Sequence, residues 1–168
     1  QVAEAAKAKP GVVLVAGPVA DFRKAGAALQ PAGLRVPQLY GGLDVGATGL
    51  EGEPPAAADV YLATAYAPEG LTDAGRDFAR RYEERFHAAP DVHAGLAYDG
   101  ARLLLAALRK VPDVTPARLR AQLAQREPFE SVTGPLTWKD GQPRRRLFLL
   151  RLENNRPKLL KVLGPEEG

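Results

Sequence analysis

The chain has 168 residues, with no cysteine, no methionine, 23 basic and 20 acidic side chains and a net charge of +3. That length is about one domain, enough to bury a core without disulfides or metal. The missing cysteines exclude disulfides, thiolate metal sites and thiol nucleophiles together, and the basic excess is too slight for a nucleic-acid binder, which carries a broad basic surface.

Val2 to Lys9 has the makings of the end of a helix, stopped by Pro10-Gly11. "VVLVAG", Val12 to Gly17, is a short continuous apolar run closed by glycine, the pattern of a strand buried on both faces in a parallel sheet. Asp21 to Ala32 follows as a helix with Phe22, Ala25, Leu29 and Ala32 on one side and Gly33 as its stop. Val36 to Gly42 predicts a second strand, 41–55 a loop rich in glycine and proline, and Ala58 to Tyr66 a third strand. A β-α-β-loop-β order predicts an α/β fold with parallel pairing and right-handed crossovers.

From Thr72 the character changes. Thr72 suits the cap of a helix whose Phe78, Tyr82 and Phe86 recur every four residues over an arginine- and glutamate-rich back, ended by Pro90. A second helix fills Asp91 to Lys110, with a leucine-rich body and a polar first turn holding Asp91 and His93. Thr115 and Pro116 open a third. The last third is β: "GPLTWKDGQP" has an Asp140-Gly141 hairpin turn, and "RRLFLLRLENNRPKLLKVL" gives two strands around Asn154-Asn155. Residues from Gly164 on are tail.

Catalysis finds little support. His87, Asp91, His93 and Asp99 have acid–base or metal-ligand side chains, but Pro90 breaks the helix between the histidines and no HExxH-type spacing exists. There is no GxSxG elbow, and "GLDVGATGLEG" lacks both P-loop and GxGxxG spacing. The arginines of 76–85 alternate with acids, which predicts a solvated, salt-bridged face. Arg144-Arg145-Arg146 is the other basic cluster. Arginine supplies 16 of the 23 basic residues, and with abundant alanine, leucine and proline this suggests a GC-rich genome and a heat-loving host. No apolar run approaches the roughly 20 residues of a membrane span, and no signal peptide is visible, as would also hold after its removal. The lack of methionine implies a processed, trimmed or excised product.

Four stretches in this order, "VVLVAG…AGLRVPQLYGG", "VYLATAYAPE…FARRYEERFHAAPDVHAGLAYDGARLLLAAL", "VTGPLTWKDGQP" and "RLFLLRLENNRPKL", carry a resemblance across nearly the whole chain. The sequence resembles the C-terminal half of type I periplasmic binding proteins, in the branched-chain amino acid (Leu/Ile/Val) group that serves ABC importers. The resemblance implies part of a two-lobe α/β fold, with parallel doubly wound sheet elements plus helices and terminal hairpins. Residues 1–66 and 146–163 would belong to the second lobe, 67–145 would be helices and hairpin of the first, and 164–168 a tail. The hinge would be crossed at Tyr66, Ala67 and Pro68.

The implied function is solute binding for an ABC importer, without enzymatic activity or cofactor, in the periplasm or outside the cell and membrane-associated through its permease. The same fold in a ligand-sensing regulator or receptor is the alternative. The ligand would be a branched-chain amino acid, an amide or a related small polar molecule. Three places match cleft positions of the family. They are Pro18 and Val19, where amino-acid binders often carry an aromatic; Asp44, or Leu43 in its place, where an acid often holds the ligand's ammonium; and His93, where an aromatic often faces the ligand. His93 also reads as a polar residue at a helix start, and Asp44 as a turn former. Trp138 reads as core or hairpin packing with its N–H bonded nearby.

The family's N-terminal half would be absent. Leaving Leu96, Leu103, Leu104, Leu105 and Leu108 wet would forfeit about 7–15 kcal/mol at roughly 1.5–3 each, against a domain stability of about 5–15 kcal/mol. The expectation is therefore a partner surface above about 1,000 Å². It would be the missing half, a second copy of this chain in a dimer or swapped assembly, or a rearranged packing.

Overall fold

A computed structural model describes residues 2–42, 59–154 and 156–164. It divides into two compact units, one of residues 1–70 and 147–163, the other of 71–146 and 164–168.

In the first unit, α1 (Val2–Lys7) leads to β1 (Val13–Ala16), α2 (Val19–Leu29), β2 (Gln38–Gly41) and β3 (Val60–Thr64). A single 3-10 turn, Pro68–Gly70, follows β3. The unit is completed by the two strands numbered β7 (Leu147–Glu153) and β8 (Arg156–Leu163) in chain order. The sheet runs β1-β2-β3-β7-β8, parallel across the first three strands and antiparallel thereafter. The expected order of strand, helix, strand and strand with parallel pairing is therefore present, and the loop expected over 41–55 lies outside the described residues from residue 43 on.

Register places Tyr40 opposite Leu62 and Leu62 opposite Leu150, so one sheet face presents a continuous apolar row. Phe22 of α2 packs there with Tyr40, Val60, Leu62, Ala67, Phe148 and Leu150. Each such side chain contributes about 1.5–3 kcal/mol when buried. A side chain at Gly70 would collide with the Phe148 ring, so only glycine lets the 3-10 turn lie on the core. α2 begins two residues earlier than the sequence pattern predicts. Its end is closed by Leu34 N–H donating to Leu29 O, with Gly33 at φ 78°. β1 departs from expectation in burial. Among the described residues it is an edge strand covered on one face only, and Leu14 is 65% exposed.

The second unit holds α3 (Asp73–Phe86), α4 (Val92–Arg109), α5 (Pro116–Leu123), β4 (Phe129–Ser131), β5 (Gly134–Lys139) and β6 (Gln142–Arg144). Both predicted caps are made, Thr72 and Thr115 accepting from the N–H groups of Gly75 and Arg118, while Asp91, expected within the helix, instead caps α4 by accepting from Ala94 N–H. α3 ends at His87, in left-handed conformation with its N–H bonded to Glu83 O, three residues ahead of Pro90. Asp140 (φ 50°) and Gly141 (φ 80°) make the two-residue turn between β5 and β6. β4 is an addition to the expected elements, antiparallel to β5.

The buried side of α4 is Val92, Gly95, Asp99 and Ala107. Leucine is absent from it. Leu96, Leu103 and Leu108 are half-buried, and Leu104 and Leu105 are exposed. The aromatic stripe of α3 is only partly core. Phe78 is buried against Tyr98, with ring centroids 4.4 Å apart, while Phe86 is 60% exposed. The opposite side of α3 carries the expected ion pairs, Arg80 with Asp77 and Glu84 and Arg76 with Asp73. No helix among the described residues is long and apolar enough to cross a membrane.

Candidate functional site

Three parallel strands in the first unit end at the same edge. In sheets of this kind such strand tips and the helix starts beside them form the ligand crevice. Gly17 N–H donates to Gly41 O at 3.2 Å, extending the β1–β2 pairing past the strand and setting Pro18 and Val19 beside Gly41-Gly42. Tyr40 supports this turn from below, its hydroxyl donating to Gly17 O at 2.6 Å. Pro18 is the N-cap of α2 and supplies no side-chain hydrogen bond. Leu43 and Asp44, the next expected contributors, lie outside the described residues. Tyr66 and Ala67 are buried within this unit, and Pro68 begins the 3-10 turn, so all three precede the change of unit at Gly70.

His93 belongs to the other unit. It occupies the first turn of α4, with 59% of its side chain exposed and Nδ1 3.7 Å from Asp91 Oδ2. The other oxygen of Asp91 accepts from Ala94 N–H at 2.8 Å, which fixes the helix start while the imidazole projects outward. An exposed ring on a helix N-terminus is able to stack on or hydrogen-bond a small solute.

Two turns further along α4, Asp99 is only 6% exposed. It accepts from Val132 N–H at 3.0 Å and faces Arg145 at 3.6 Å and Arg102 at 3.8 Å. Burial pushes its carboxyl up from the ordinary value, opposed by the Val132 N–H and the two guanidinium charges. Burial also lowers Arg145, opposed by Asp99. The triple arginine is therefore not a uniform basic surface, since its middle member turns inward. The same pairing removes Asp99 from any acid–base cluster with His87 or His93. An ionisable residue in line with Val92 and Gly95 on a helix was the signal for this pair, but the partner 46 residues on was invisible in the pattern. Trp138 is half-buried in the hairpin as expected, yet among the described residues its indole N–H finds no acceptor. Its surroundings are a small cavity lined largely by apolar groups of α4 and α5, including Leu103, Ala106 and Leu123.

A family model described as "Periplasmic binding protein" matches residues 1–157. The chain belongs to the periplasmic binding protein family. Its fold is that of the solute-binding proteins of ABC transporters. The leucine-binding protein LivK of Thermotoga maritima superposes with a TM-score of 0.84 at 18% identity, over 100% of this chain and 49% of that one. A leucine-, isoleucine-, valine-, threonine- and alanine-binding protein of Brucella ovis, in closed conformation, gives 0.79 at 17% identity, over 99% and 46%. A solute-binding protein of R. palustris in complex with benzoate gives 0.70 at 21% identity, over 98% and 46%. These relatives are solute-binding proteins, not enzymes, and the chain spans about half the length of each. No curated protein sequence matches it.

Proposed function

We propose that this chain is one portion of the solute-binding component of an ABC importer, acting outside the cytoplasmic membrane on a branched-chain amino acid or a related small polar molecule. The observation that carries the reading is the family match over residues 1–157. The parallel strand tips that bring Gly17 and Pro18, at the start of α2, next to Gly41 are where such a family would hold its solute. On this reading residues 1–70 and 147–163 are second-lobe elements and 71–146 are first-lobe elements. The hinge segment is Tyr66 to Pro68, leading into the change of unit at Gly70. Pro18, Val19 and Asp44 or Leu43 are assigned to the solute in the first unit, the last for the ligand's amino group, and His93 in the second.

The exposed leucines of α4 support a further part of the reading: the portion of the protein that covers them lies outside residues 1–168. Leu104 and Leu105 are 42% and 53% exposed, and the solved relatives carry about as much chain again.

Thermal shift on the product of the whole reading frame tests the function, with leucine, isoleucine, valine, leucinamide and benzoate as the panel. A rise in Tm with one or more of these is expected, following the ligand concentration as linkage requires. Asp44→Ala should abolish the rise for amino acids and leave that for benzoate, which has no ammonium. A panel without any shift, or a shift with nucleotides alone, contradicts the reading.

A further inference from the structure

The second unit holds a cavity that takes no part in the proposed solute binding. It lies between the C-terminal half of α4, the end of α5 and the hairpin, with a volume of about 80 Å³. Leu103, Ala107, Leu123 and Phe129 give it apolar walls, and every residue lining it falls within 71–146. His93 lies 14 residues before Ala107 on the same helix, about 20 Å away at 1.5 Å per residue. The cavity is therefore separate from the first turn of α4.

Its polar groups are unbalanced toward donors. Trp138 lines the cavity, and among the described residues its buried indole N–H has no acceptor. Such donors are uncommon, because burial forfeits a hydrogen bond to water with nothing in return. Three charged side chains stand around the cavity, Lys110, Arg126 and Glu127. Glu127 is already engaged, one carboxylate oxygen with Lys110 Nζ and the other facing Gln122 Nε2 at 3.5 Å. Arg126 has no acid partner among the described residues, and its guanidinium lies over Gly141 in the hairpin turn. One positive charge and one N–H donor are thus left unmatched around an apolar space.

We infer that this cavity is a second binding site, for a short aliphatic carboxylate. The hydrocarbon chain would fill the apolar space, one carboxylate oxygen would accept from the Trp138 indole, and the Arg126 guanidinium would balance the charge. Volume sets the chain length. The cavity is smaller than the roughly 150 Å³ apolar space that takes up benzene, so acids of about three to five carbons fit and aromatic acids do not. The inference is independent of which solute the strand tips and His93 hold.

NMR titration of the product of the whole reading frame with isobutyrate tests it. The signal is the Trp138 indole N–H, identified by its loss in Trp138→Phe. A saturable downfield displacement at millimolar isobutyrate is expected, with isobutyramide and benzoate far less effective. Arg126→Gln, at an exposed position, should raise the isobutyrate Kd about tenfold, as loss of a hydrogen bond to a charged group does. His93→Ala should leave the displacement as it was. No displacement, or an equal one with isobutyramide, with benzoate or in Arg126→Gln, overturns the inference. Displacement abolished by His93→Ala assigns the effect to the first turn of α4 and overturns it too. An indole N–H already hydrogen-bonded and unresponsive to isobutyrate assigns the cavity to polypeptide beyond residues 1–168, with the same consequence.

Discussion

A carboxylate on the buried side of a helix must be answered by donors, and Asp99 is answered by the Val132 amide and two arginines. The answer is incomplete, because one carboxylate oxygen and Arg145 Nε lack hydrogen bonds. Burial consequently outweighs the donors, and the folded carboxyl titrates above its ordinary value of 3.8. The unfolded chain then releases this proton first as pH rises from about 3.8, and the folded chain still holds it. Folding stability attributable to this group falls with pH until the folded carboxyl has ionised too. Asp99→Asn keeps an acceptor for Val132 and removes the titration. Thermal unfolding across pH should show the Tm advantage of the native residue over the variant greatest at or below pH ~3.8 and shrinking above it. An advantage that grows with pH over that range would contradict the burial argument. Of this arrangement the sequence disclosed only the acid among apolar neighbours.

At the scale of elements, the second unit turns on the two residues between β4 and β5. Val132 O accepts from both the N–H and the hydroxyl of Thr72, which pins the start of α3 to this turn. On the other side Val132 N–H and Glu130 O tie the same strand pair to α4 through Asp99 and Arg102. A Cβ at Gly75 would lie 2.0 Å from Val132 O, so α3 cannot approach this closely with any other residue. Gly75→Ala should cost about 1–3 kcal/mol, as overpacking does. Gly100→Ala, on an exposed side of α4 with nothing near its Cβ position, should gain about 0.5–1 kcal/mol. Urea unfolding of the two variants checks both signs. The elements most legible in the sequence were those fixed locally. Thr72 and Thr115 cap their helices through their own side chains, and Asp140-Gly141 forces its own turn. β4 was not legible, since Phe129-Glu130-Ser131 becomes a strand only by pairing with β5. The end of α3 was misplaced because His87 accepts a left-handed conformation that its residue type does not announce.

At the scale of the whole molecule, fold class followed from the order of apolar runs and turns, and the family from the order of motifs. Burial did not. The pattern of "VVLVAG" implies two covered faces, and the leucines of α4 imply a covering sheet, yet this chain leaves both partly bare. Pro18-Val19 and His93 were legible as a loop after a strand and a polar helix start, but their residue types do not name a ligand. Calorimetric titration of the whole reading frame's product with the panel solute that gives the largest thermal shift tests the central claim, a small solute held against the first turn of α4. A single saturable site is predicted, with Kd raised about tenfold or more by His93→Ala, equivalent to ~1.4 kcal/mol. A Kd unmoved by that substitution, or no saturable heat at all, would contradict it.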